Sequence, residues 1–205
     1  MKANRIVATM LAAALVLTAA ACQGDSPEPP PVTSTPVSSP TPTPTPTAAA
    51  LPDFTKWQTE PADIPVPPMP AAAKNHSKAG SVAFVRYYLD LLNLSMLTSN
   101  GSAAKELSIR DCERCKLLES GFTTIISGGK SYLGDPRYTY ADLASSDYSP
   151  SSAGVGGTML RKSWRSREKG SSSSSKRPAE RVGVVLRTEW TDGGWQVVYF
   201  SANPL

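Results

Sequence analysis

Histidine is almost missing from this chain: there is one, His76, in 205 residues. That scarcity works against imidazole-rich metal centres and against most acid–base mechanisms built on histidine. No Gly-x-Ser-x-Gly element presents a serine nucleophile for His76 to activate. His76 itself stands where a proline-rich stretch meets the first helix, a loop position suited to capping or solvent contact. Cysteine is scarce as well, at three. A zinc site on Cys112 and Cys115 would need two further ligands, and one histidine cannot supply them. Neither a metal nor a cofactor is expected. Charge of one sign is not in excess: 21 Lys and Arg face 17 Asp and Glu, a net of +4. Within residues 76–205 the counts are 17 and 12, a net of +5. Such a balance excludes a strongly basic nucleic-acid binder on charge alone, and no nucleic-acid partner is expected.

Proline is absent where a fold needs it to be. Of 19 prolines, fifteen lie between Pro27 and Pro70 and only Pro136, Pro150, Pro178 and Pro204 lie beyond. Each proline fixes φ and removes a backbone donor, so this crowding excludes regular structure over the first third. The foldable part is then residues 75–205, enough for one hydrophobic core.

The N-terminus carries an export signal. Lys2 and Arg5 supply positive charge, Ile6 to Ala21 is an uncharged apolar run, and small residues precede Cys22. The run is shorter than the about 20 apolar residues that a spanning helix requires, and no second run of that length follows. Leu17-Thr18-Ala19-Ala20-Ala21-Cys22 resembles a lipobox, with Ala19 where leucine is most usual. The resemblance implies cleavage after Ala21 and acylation of Cys22. Two or more acyl chains, at about 0.8 kcal/mol per buried methylene, hold a protein durably at a membrane. Residues 1–21 thus read as a lipoprotein signal peptide, and the expected location is the extracytoplasmic face of the cell membrane.

Residues 22–74 read as a disordered linker rich in Pro, Thr and Ser, with Pro40-Thr41-Pro42-Thr43-Pro44-Thr45-Pro46 at its centre. Such composition favours extended polyproline II and forms no core. Phe54 and Trp57 interrupt the pattern; they either dock on the domain or a partner, or belong to a weakly ordered linker.

The domain opens with an amphipathic helix over 77–97. Val82, Val85, Leu89, Leu92 and Met96 recur at three- and four-residue steps, and Ser77 is a suitable N-cap. Arg86 and Asp90 share the polar face with Asn93 and are spaced to pair in solvent. A short helical piece covers 102–107. A second clear helix covers 111–126, with Ser108 and Asp111 as its capping signal and Gly128-Gly129 as its stop. Beyond Gly129 the period changes to strands at 138–143, 155–164, 182–190 and 195–201, the last two forming a hairpin about Asp192-Gly193-Gly194. Helices followed by antiparallel strands make the fold class α+β, with N-terminal helices packed on a curved antiparallel sheet of about four strands.

The element order and the final hairpin resemble the nuclear-transport-factor-two-like fold, a cone in which a curved sheet wraps a long helix. The lipobox, the Pro/Thr linker, Met69-Pro70-Ala71-Ala72-Ala73, Ala79-Gly80-Ser81-Val82-Ala83-Phe84-Val85-Arg86-Tyr87-Tyr88 and Cys112-Glu113-Arg114-Cys115 together resemble an actinobacterial lipoprotein family, domain of unknown function 6318. That resemblance implies a location and no activity.

Three sets of residues carry candidate chemistry. Cys112 and Cys115, three apart on a helix outside the cytoplasm, suit a disulfide; a thioredoxin-like dithiol is the alternative, although that motif follows a strand and this one follows helices. Tyr88 and Asp90 are the first helix's candidates for acid–base work, against roles in the core and in a surface pair. Arg161, Lys162, Arg165, Arg167, Lys176 and Arg177, with Lys169, Arg181 and Arg187 in the same stretch, form a basic cluster around Trp164. It either contacts a polyanion or is a solvated loop. The leading expectation is a non-enzymatic binding or assembly module that meets an envelope protein or an anionic wall polymer. The alternatives are a small-molecule or isomerase-like pocket between the first helix and the sheet, and a thiol–disulfide redox protein.

Overall fold

The computed structural model describes residues 50–205. The expected signal peptide, Cys22 and the linker as far as residue 49 lie outside the described residues. Within them the chain forms three helices, α1 (Lys78–Thr98), α2 (Ser102–Lys105) and α3 (Glu113–Ser127), and seven strands. The strands are β1 (Lys130–Leu133), β2 (Thr139–Tyr148), β3 (Ser152–Arg161), β4 (Trp164–Glu168), β5 (Ser175–Arg177), β6 (Glu180–Thr191) and β7 (Gly194–Pro204). No helix among the described residues is long and apolar enough to cross a membrane.

The helix α1 begins as its sequence indicates. Ser77 is extended, and its Oγ accepts the Gly80 N–H at 3.0 Å, satisfying one of the donors a helix start leaves free. Glycine is required at position 80, because a Cβ there would sit 1.9 Å from the Asn75 carbonyl oxygen. The helix is not amphipathic in its setting. Between Gly80 and Leu97 only Arg86 and Asp90 are exposed, and these two form no ion pair among the described residues.

The cover on its outer side comes from residues 53–74, which fell within the expected linker. They run back over the domain. Tyr87 Oη donates to the Pro67 carbonyl at 2.8 Å, and Ala62 N–H donates to the Leu97 carbonyl at 2.9 Å. Gln58 and Tyr132 exchange backbone hydrogen bonds of 2.8 and 3.1 Å, adding one residue pair to the free edge of β1. Proline excludes a strand here but not an extended strap whose remaining donors find partners.

All four strands read from the sequence are present, as one antiparallel sheet in the order β2-β3-β6-β7. Bulges between Ala141 and Ala144, and between Arg187 and Thr188, curve it. Asp142 takes a left-handed φ of 56° within the first of these. The β6–β7 hairpin turns where expected, with Gly194 at φ 112°. Phe84, Tyr88 and Leu92 of α1 meet Val155, Val184, Leu186, Val197 and Phe200 of the sheet in one cluster, each buried to 2% exposure or less. Fully burying each such side chain stabilises the fold by about 1.5–3 kcal/mol. The space between α1 and the sheet is therefore filled by side chains.

A second antiparallel sheet, β1-β4-β5, was not among the expected strands. It falls in the sequence just after α3 and in the stretch expected as a polar loop, where short segments rich in Ser, Lys and Arg carry no apolar alternation. Its inner face closes a smaller core of Met96, Leu97, Ile125, Ile126, Tyr132 and Trp164, against which Phe54, Ala62 and Ile64 of the strap pack.

Candidate functional site

The basic cluster becomes the β3–β4–β5 region, and packing divides it. Arg161 forms an ion pair with Glu180 and stacks on Tyr138 and Trp164, its guanidinium carbon 4.6 and 5.6 Å from the ring centroids. Arg167 lies 4.0 Å over the Trp57 ring of the strap. Lys169 pairs with Glu60 at 2.6 Å. These cations hold the domain together through ring and carboxylate contacts. Lys162, Arg165, Lys176 and Arg177 stay exposed.

The strand register brings two of them together. Arg165 of β4 is directly opposite Lys176 of β5, which sets their Cβ atoms about 5 Å apart on one face. Like charges in that position oppose folding, and neither has an acidic partner within 4 Å among the described residues. Arg165 is steadied by Ser174, whose Oγ accepts from Nη2 at 2.6 Å. Both cations edge a cleft of about 500 Å³ whose walls include Phe54, Leu133 and Trp164. Arg177 occupies the opposite face, with Nε donating to Ser166 Oγ at 3.0 Å.

Cys112 and Cys115 form a disulfide with Cα atoms 5.2 Å apart. They are 5% and 0% exposed, within the main core. Cys112 also occupies the N-cap of α3, its Sγ accepting the Cys115 N–H at 3.2 Å. The capping role expected of Ser108 and Asp111 is thus filled by the cysteine, and Ser108 turns inward instead.

His76 reaches no nucleophile. Its ring stacks on Trp190 with centroids 4.3 Å apart and planes 6° from parallel, edge-on to Trp195, while Nε2 contacts the Pro150 carbonyl. It links the entry of α1 to the β6–β7 hairpin and the β2–β3 turn. Asn93 is also relocated: expected on the polar face, it is 8% exposed and bonded to β2.

One grouping escaped the sequence reading. Glu119 of α3 is 5% exposed. Its Oε1 accepts from Tyr88 Oη at 3.0 Å and from Ser108 Oγ at 2.7 Å. Burial first, and then the carboxylate itself, push the Tyr88 phenol far above the ordinary tyrosine range, so it stays a donor. Three segments meet here: α1, α3 and the 107–109 connector, which pairs with β7 through Ile109 N–H to Val197 O at 3.0 Å. Two adjoining clefts of about 620 and 560 Å³ share Ser102, Lys105, Lys116 and Glu119 in their walls. The available sequence signal was Glu119 itself, a charged residue at step four from Cys115 on the apolar side of α3.

Several solved structures are similar to this chain. The intermembrane-space region of the chloroplast protein ARC6 is 14% identical, aligned over 63% of this chain and 98% of that one, with a TM-score of 0.46. An uncharacterised protein with a cystatin-like fold from Caulobacter vibrioides is 10% identical over 59% and 87%, with a TM-score of 0.43. An NTF2-like protein with a cystatin-like fold from Novosphingobium aromaticivorans is 11% identical over 62% and 80%, with a TM-score of 0.38. No curated protein sequence matches. A family model matches residues 57–201, beginning at the tryptophan that Arg167 covers, and by that match the chain belongs to the family of unknown function DUF6318.

Proposed function

We propose that this is an exported lipoprotein, anchored through acylated Cys22 at the extracytoplasmic face of the cell membrane. Its domain is a non-enzymatic binding module that engages an anionic envelope polymer. Support for the anchor is the charged start, the apolar run and the lipobox-like residues before Cys22. Support for the partner is one relationship, the side-by-side placement of Arg165 and Lys176 without an acidic neighbour. Their mutual repulsion opposes folding in the free domain and is relieved when a polyanion lies across them. Lys162 and Arg181, both exposed, extend positive charge beyond the cleft.

Two observations weigh against the other readings. The volume between α1 and the sheet is occupied by core side chains, which works against an isomerase-like pocket there. The sulfurs of Cys112 and Cys115 are buried, whereas thiol–disulfide exchange needs access to a sulfur.

The test uses the full-length chain in detergent micelles on immobilised polyphosphate. Retention is expected to fall steeply with salt and to drop several-fold in the Arg165→Gln/Lys176→Gln double variant. Retention indifferent to that double variant would remove the polymer reading, and mass spectrometry showing unmodified Cys22 in native material would remove the anchor.

A further inference from the structure

We infer that the paired clefts over Glu119 form a binding site for a small amino-acid-like zwitterion, of the size of a short peptide, with its ammonium group on the Glu119 carboxylate. This site is separate from the cationic face and stands or falls independently of it.

The inference begins with an unbalanced carboxylate. Glu119 is 5% exposed, yet no cation pairs with it among the described residues. A buried carboxylate is costly unless paired and hydrogen-bonded, and here only neutral hydroxyls serve it. Both of those bonds, from Tyr88 and Ser108, end on Oε1. Oε2 accepts none, and it is not one of the sealed side-chain atoms left without a partner. It is therefore reached from the clefts whose walls Glu119 forms. Two hydroxyls fix the carboxylate from behind and leave one oxygen forward, which is a preorganised acceptor for a cationic donor.

The rim sets the rest of the ligand. Lys105 and Lys116 stand in the walls of both clefts. Lys116 is held by Glu113 at 2.6 Å, whereas Lys105 is exposed and forms no ion pair among the described residues. A purely cationic ligand would meet repulsion from these lysines on its way in. A ligand with an ammonium at one end and a carboxylate at the other satisfies Glu119 and Lys105 together. Neutral donors and acceptors from Ser102, Ser120, Thr123 and Gln196 fill the intervening walls, matching a peptide bond. No aromatic ring lines either cleft, which disfavours a sugar platform.

The experiment is calorimetric titration of the full-length chain with alanyl-alanine, its N-acetyl derivative and its C-terminal amide. Saturable binding of alanyl-alanine is expected, weakened at least about 10-fold by N-acetylation and likewise by Glu119→Gln, which keeps the side chain's shape and one acceptor oxygen. Lys105→Ala, at an exposed position, is expected to weaken alanyl-alanine several-fold while leaving the amide unchanged. Should Glu119→Gln fail to fold, the Lys105→Ala and N-acetyl comparisons still decide. Absence of saturable binding up to about 10 mM, a concentration that captures ligands bound by about 3 kcal/mol or more, overturns the inference. So does binding indifferent to N-acetylation, or a Lys105→Ala effect that is the same for acid and amide.

Discussion

Asn93 and Tyr138 are joined in both directions. The side-chain amide of Asn93 donates from Nδ2 to the Tyr138 carbonyl at 2.8 Å, and the Tyr138 N–H donates to Oδ1 at 2.9 Å. A helix side chain thereby takes the part of a neighbouring strand for the residue just before β2. The same Nδ2 also contacts Tyr140 Oη, which donates onward to the Leu89 carbonyl at 2.7 Å. Removing the amide strands two backbone groups, and each buried unsatisfied group costs about 1–3 kcal/mol. Asn93→Ala is expected to lower unfolding stability by about 2–4 kcal/mol in a urea titration. Asn93→Asp should lose nearly as much, since a carboxylate has no N–H for the Tyr138 carbonyl. A loss below about 0.5 kcal/mol, the size of an ordinary surface substitution, would show that the pair does not hold β2 to α1.

The strap depends on Trp57. Its ring lies under Arg167, and Lys169 grips Glu60 close by. A cation–π contact at a partly shielded site contributes about 0.5–2 kcal/mol. Trp57→Ala should therefore loosen residues 53–64 well before the domain unfolds. Limited trypsin digestion reads this directly, with cleavage after Lys56 accelerating several-fold in the variant. Equal cleavage rates in the two proteins would mean that the strap is held without Trp57.

Reduction of the disulfide should weaken the fold and spare binding. Closing so short a loop stabilises by about 2 kcal/mol in the chain-entropy account, and Cys112→Ser keeps an oxygen able to cap α3. The variant is expected to unfold at lower urea by that margin, with polyphosphate retention unaltered. In the native protein the buried sulfurs should resist reduction until the fold opens. Fast reduction under native conditions, or lost retention in a folded Cys112→Ser variant, would revive the redox reading.

Alkaline stability follows from the tyrosines. Burial pushes the Tyr132 phenol up to about 12, with Asp135 adding to the effect and Arg137 opposing it. Tyr138 and Tyr140 are pushed up too, mainly by burial. The unfolded value is near 10. A folded value above the unfolded one means that the folded state holds its proton longer. The contribution is thus complete below pH 10 and is lost as pH rises from 10 through 12. Urea midpoints measured across that window should fall, and Tyr132→Phe should flatten part of the decline. Tyrosine ionisation complete by pH 10.5 with the fold intact would contradict this.

The secondary-structure pattern was written locally in some places and not in others. For α1 and the β6–β7 hairpin, periodicity, an N-cap and a Gly-rich turn sit within a few residues of one another, so neighbouring sequence suffices. β1, β4 and β5 are short and polar, and they exist because Tyr132 and Trp164 find a shared core with Met96 and Ile125. Nothing within either segment announces that contact. Asn93 and Glu119 show the same limit from the other side. Each is a polar residue on a helix, and local sequence cannot tell that the face it occupies will be covered by a segment distant along the chain.

The chain alone determined its division into a signal-like start, a proline-rich stretch and a foldable remainder, along with the α+β order of that remainder. Those features are properties of composition and short-range spacing, which act before any distant residue is brought near. Only the tertiary structure decided which charges stayed in solvent, which were held by a ring or a carboxylate, and that a proline-rich strap would complete the burial of α1. Such outcomes depend on desolvation and on partners far apart in sequence, and those are fixed only when the chain has closed on itself.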